Sequence, residues 1–166
     1  MKLVWLVPLA AGLIAATAGS LDAAPTASGA FVRVAPTDIH WKDIPGAHGA
    51  QEAELIGGQH KPGFYVVRVR FPPHWMDTPH SHSQDRYITV LQGTWMVGTG
   101  PVFDPAKAAP LGPGSVMKHP AHGVHWDGSA GDEPVIVQII GVGPVSTTAV
   151  DPKGPKWVHV VRPEHR

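Results

Sequence analysis

The sequence predicts an all-β protein, a small antiparallel β-barrel, and three observations carry that expectation. Glycine (19) and proline (18) together exceed a fifth of the 166 residues, so turns are frequent and long helices are interrupted. Between them recur short apolar or alternating runs, such as FYVVRVRF from Phe64 and PVIVQIIGVG from Pro134, which is the grammar of strands joined by tight turns. Beyond the N-terminus no segment carries the apolar period of a helix of three or more turns.

Taken in order, the chain opens on Lys2, an apolar stretch from Leu3 to Ala16 and small residues ending in ATA at Ala18. A short positive head, an apolar middle and a small-residue cleavage zone describe a signal peptide over 1–24, with an uncleaved anchor as the alternative. Residues 25–36 read as a linker, and 37–162 as one domain able to bury one core. Export places the protein in the periplasm or outside the cell, with no membrane contact after cleavage. With no cysteine, the mature fold relies on its core and a bound metal rather than on disulfides. The 13 basic and 13 acidic residues balance to +0 and are scattered, so nothing recruits nucleic acid.

Residues 31–58 give short apolar pieces between prolines and glycines, read as edge strands and loops. From Val66 the run to Phe71 alternates, so Arg68 and Arg70 face away from an inward-packing side. The stretch from Pro72 to Asp85 is too rich in proline for a regular strand. RYITVLQG and TWMVGTG then read as two strands of a hairpin turning at Gln92-Gly93. Residues 101–114 form a loop, and SVMKHPAHGVHWDG gives a strand, a turn over Pro120 to Gly123 and a return through His125. PVIVQIIGVG is a buried central strand, and VSTTAV and KWVHVV are later strands.

His80 and His82 stand two residues apart, and in extended chain such side chains point the same way, so two imidazoles can meet one ion. A third ligand from HPAHGVHW would complete a facial set with open positions for water or substrate; it offers His119, His122 and His125. The competing reading for the pair is strand-end histidines satisfied by water. For His125 it is barrel packing beside Trp126.

Here the chain resembles the cupin superfamily, whose jelly-roll barrels carry one motif G-x5-H-x-H followed by a glutamate and a glycine, and a second motif G-x5-P-x-G-x2-H-x3-N. His80, His82 and Gly93 match the first, and Gly114, Pro120 and His125 the second, with 20 residues from Thr94 to Pro113 between them. The resemblance spans roughly Lys61 to Val142 and is similar to exported single-domain cupins of unassigned reaction. It implies one divalent metal held by His80, His82 and His125, with iron expected first and zinc, manganese, nickel or copper as alternatives. Four positions depart: His74 replaces the first glycine, Arg86 the ligand glutamate, His122 the inner glycine and Ser129 the final asparagine. Arg86 has no lone pair to give a metal. Its charge beside a three-histidine site favours an anionic small molecule, which Arg86 would clamp; pairing with Asp85 or Asp77 is its competing role.

Gln84 is a candidate extra ligand, following His82 by two residues. Tyr87, Trp95, His119, His122, Trp126 and Gln138 are candidates for lining the pocket. The function implied is a dioxygenase-type oxidoreductase acting on a small anion. The rivals are a non-redox lyase or isomerase, which the lack of an acidic residue at the motif's ligand position disfavours, and a sensing module without chemistry. Edge strands leave a homodimer open.

Overall fold

The computed structural model describes residues 30–161. The signal-peptide reading of 1–24, the start of the linker and the last residue of the 37–162 range lie outside the described residues. All described strands fall in the compact unit Val32–Arg166. In chain order they are β1 (Lys42–Asp43), β2 (Gln51–Ile56), β3 (Gly63–Phe71), β4 (Trp75–Asp77), β5 (His80–His82), β6 (Arg86–Gln92), β7 (Trp95–Thr99), β8 (Ala109–Leu111), β9 (Val116–His119), β10 (His125–Gly128), β11 (Val135–Gly143), β12 (Thr147–Ala149) and β13 (Trp157–His159). Only two short 3₁₀ turns, Pro36–Asp38 and Pro105–Lys107, accompany them among the described residues.

Two antiparallel sheets make a jelly roll. One runs β1-β2-β3-β11-β6-β9, and the other β12-β5-β10-β4-β13 with β7 on the far side of β10 and β8 beyond β7. β11 is central, paired along its whole length with β3 and over most of it with β6. Its Val135, Val137 and Ile139 are buried and alternate with half-buried residues, as a strand with one face in the core requires. Between the sheets these side chains meet Tyr65, Val67, Phe71, Ile88, Val90, Trp95 and Val97. A second cluster, built on Met76, Met96, Ala130, Val160 and Trp126, packs separately.

The parity of β6 decides the site. Arg86, Ile88 and Val90 are buried while Tyr87 and Leu91 are exposed, so the arginine is carried inside by the same alternation that buries its apolar neighbours. A slip of one residue would expel all three.

Four local expectations need correction. β6 and β7 do not form a hairpin: β6 pairs with β11 and β9, whereas β7 pairs with β10 and β8. Gly93 turns the chain from one sheet to the other at φ +73°, and a Cβ there would lie 2.6 Å from the Pro134 carbonyl oxygen. The turn after β9 likewise changes sheets, because β9 pairs with β6 and β10 with β7. Tight-turn chemistry is the same for a hairpin and a corner, so the strand partner is invisible locally. The proline-rich stretch after Phe71 does contain strands, β4 and β5, each three residues long and parted at Thr78-Pro79 where proline has no N–H to give. The 101–114 loop includes the edge strand β8, whose Pro110 is tolerated at a sheet margin.

His74 and His122, which replace two motif glycines, adopt φ of 64° and 61°. The backbone has kept a left-handed conformation that glycine takes more easily. His122→Gly is therefore expected to keep or raise thermal stability, by up to about 1 kcal/mol. A clear fall in melting temperature would mean that the imidazole itself stabilises the turn.

Candidate metal centre

β5 places His80 and His82 on the inner side, and β10 brings His125 opposite His80 in direct register. One ring nitrogen from each lies within 4.8 Å of the others. A second, overlapping set comprises His119, His125 and Asp127. His125 belongs to both.

Hydrogen bonds fix how these rings face. His80 Nδ1–H donates to the Thr78 carbonyl at 2.8 Å, and His125 Nδ1–H to that of Gly123 at 2.9 Å. Both Nε2 atoms then carry lone pairs toward the centre, the orientation that outer partners give metal-binding imidazoles. His125 Nε2 and both nitrogens of His119 are buried without a partner. The Nε2 atoms of His80 and His82 stand 3.1 Å apart, about the separation of two nitrogens sharing an ion at ~2.1 Å. Converging lone pairs repel unless something positive sits among them, so this donor set fits a divalent cation.

At His82 a cation of the chain itself is already present. Arg86 Nη1 donates to His82 Nε2 at 2.7 Å, and His82 Nδ1–H then donates to Thr147 Oγ1 at 3.0 Å. Arg86 pairs with neither Asp85 nor Asp77. Lys118 and the Ala121 amide hold Asp85, and Asp77 accepts from the Asp127 amide at 2.7 Å.

Burial is the largest cause of every shift in the cluster. It lowers His80, His82, His119 (to about 2) and His125 (to about 3); Arg86 acts in the same direction on all four and neighbouring imidazoles on His82, His119 and His125, while Asp127 opposes the shift at His80. The rings are thus neutral at pH 7 and ready to ligate. Asp77 and Asp127 are raised, again by burial first. Trp95 Nε1–H donates to Asp127 Oδ1 at 2.9 Å.

These directions give a pH dependence for the metal-free protein. A histidine whose folded pKa lies below its unfolded value near 6.5 leaves more protons on the unfolded chain below that pH, so its contribution is complete above about 6.5 and is lost on acidification. The raised carboxylates Asp77, Asp127 and Glu52 act oppositely, favouring the folded state as pH falls. The four histidines are the larger set and take up protons in the unfolded chain near 6.5, so the melting temperature is expected to fall between about pH 7 and 5. Calorimetry showing a flat or rising value would contradict the burial of neutral rings.

Three of these imidazoles, His80, His82 and His119, border a cavity of about 700 Å³, whose lining does not include His125. Its walls are Val69, Phe71, Ile88, Trp95, Val137, Ile139 and Trp157; His80, His82, His119, Arg86, Asp77, Asp127 and Glu52 also line it, with Lys42 and Lys156. Of the expected lining residues, Trp95 and His119 are in place. The others are elsewhere. Tyr87 is 48% exposed on the outer face. His122 sits in the turn, giving its amide to the His82 carbonyl. Trp126 points into the second cluster against Phe103, and Gln138 accepts from Arg68 on the outer face. Gln84 is exposed and does not line the cavity. Ser129, at the motif's asparagine, donates to the Glu133 carbonyl and closes a turn.

Sequence reasoning missed the carboxylates Asp127, Asp77 and Glu52. Asp127 was within reach, since it follows His125 by two residues in the same strand and must share its side. The same parity, from Met117 to His119, turns His119 inward.

No protein-family model matches the chain, and no curated protein matches its sequence. Solved structures do. The polyketide cyclase RemF from Streptomyces resistomycificus superposes with a TM-score of 0.65 at 19% identity, covering 76% of this chain and 90% of that one. The DMSP lyase DddQ from Ruegeria pomeroyi DSS-3 gives 0.56 at 17% identity, covering 71% and 64%. An RmlC-like cupin from Shewanella frigidimarina NCIMB 400 gives 0.52 at 16% identity, covering 66% and 87%. These likenesses show that the chain has the cupin fold.

Proposed function

We propose that the protein is a metalloenzyme that moves protons on a small organic anion with an apolar body, in a lyase, cyclisation or isomerisation reaction. One observation carries this reading: the cavity bordered by His80, His82, His119 and Arg86 is also lined by four acidic residues, Asp43, Glu52, Asp77 and Asp127, and by a wall of apolar ones. The acid-base chemistry that the motif position argued against has its groups from other strands. His80, His82 and His125 would hold the ion, with His119 beside them. Such an ion, when bound, would polarise a carbonyl or carboxylate oxygen of the substrate.

The chain's own residues do the rest. Arg86 would take the substrate's carboxylate or enolate by charge-assisted hydrogen bonds. Phe71, Trp95 and Trp157 would cover its body and exclude water. Glu52, half-buried on β2 and raised in pKa chiefly by burial, is the group to take a proton from carbon and return it. Gln59 holds that carboxylate from the side. RemF, a cyclase, and DddQ, a lyase, support the non-redox class by analogy of fold. The apolar N-terminal segment supports an exported location.

A dioxygenase is the second reading, favoured by the three neutral histidines, which leave the remaining positions of an ion open. Untagged protein, assayed for metal by elemental mass spectrometry and incubated with a panel of unsaturated and aromatic acids with and without oxygen, separates the readings. Turnover without oxygen is the expected result. Oxygen uptake in proportion to product would replace it with the dioxygenase, and saturable binding without product would leave a ligand-binding module.

A further inference from the structure

Arg86 stands in a row of inward side chains across four neighbouring strands: Tyr65 on β3, Gly141 on β11, Arg86 on β6 and His119 on β9. Gly141 is what leaves room, for a Cβ there would come within 2.6 Å of the Tyr65 hydroxyl. Arg86 as a whole residue is 9% exposed, its Nε has no partner, and its guanidinium forms no ion pair among the described residues. A buried cation without a carboxylate is costly. Its hydrogen bond at His82 Nε2 uses the one lone pair through which that ring could join the ion. The lone pair serves the guanidinium or the metal, not both.

We propose that Arg86 is an anion-operated latch on the metal site: in the ligand-free protein it holds His82, and an incoming carboxylate draws the guanidinium away so that His82 can join His80 and His125. The inference rests on the cavity's being a site for a metal and an anion, and it adds that the two are bound cooperatively. By linkage, the factor by which the anion tightens metal binding equals the factor by which the metal tightens anion binding. The substrate class that operates the latch is a carboxylic acid, because its two oxygens match a guanidinium in geometry as well as charge.

Co²⁺ reports both affinity and coordination through its visible spectrum, and benzoate serves as a carboxylate with an apolar body. With metal-free full-length protein, saturating benzoate is expected to lower the Co²⁺ Kd at least tenfold and to change the spectrum as a nitrogen ligand is gained. Arg86→Gln and Arg86→Lys are both expected to bind Co²⁺ that tightly without benzoate. An unchanged Kd on adding benzoate to the wild type, which needs no variant to fold, overturns the latch. So does a benzoate effect that survives in Arg86→Gln, which would assign it to the ion alone. Tighter binding in Arg86→Gln but not in Arg86→Lys would reduce the role of Arg86 to charge repulsion, again overturning it. Protein that binds no Co²⁺ in any form sinks the metal reading itself, while Co²⁺ binding with no benzoate effect sinks only the latch.

Discussion

Replacing His125 with alanine is expected to raise the Kd for a divalent metal by about 100-fold or more, a larger loss than any other single histidine would give. The reason is position: His125 is common to both candidate ligand sets, and its ring is already aimed by the Gly123 carbonyl. His80→Ala should follow. His82→Ala should cost least of the three, because its lone pair is held by Arg86 in the ligand-free protein. Metal content after equilibrium dialysis measures the order, and circular dichroism checks that the strands survive. Stoichiometric metal in His125→Ala would place the ion elsewhere.

Trp95→Ala is expected to destabilise the fold by about 3 to 5 kcal/mol, through lost burial and the cavity left behind. Trp95 is among the largest fully buried side chains, sits in the inter-sheet core and lines the cavity. Trp95→Phe separates the two parts of its role. It keeps most of the ring but removes the N–H that Asp127 accepts, at about 1 to 3 kcal/mol for an unsatisfied buried group. Urea unfolding of both variants gives the split. A Trp95→Phe loss as large as that of Trp95→Ala would mean that the hydrogen bond, rather than the ring, dominates.

How much of this was legible depended on whether local periodicity carried the information. The i, i+2 spacing of His80 and His82 fixed their common side, and the alternation of β11 marked a core strand. Parity within β6 could also have buried Arg86. Tyr87, Trp126 and Gln138 were misplaced for the converse reason. Each is aromatic or polar beside a site residue in sequence, but in a strand the adjacent residue faces the other way.

The strand class, the paired histidine motifs and the three imidazoles they supply follow from the sequence by itself, because each is a matter of spacing within a few residues. Only the tertiary structure decided that the turns at Gly93 and His122 cross between sheets and that His119 joins the cluster. It also decided that Asp77 and Glu52 reach the same cavity as Asp127 and that Arg86 donates to His82 rather than to a carboxylate. Those contacts join strands distant in the chain, and their register is set by two sheets closing over one core.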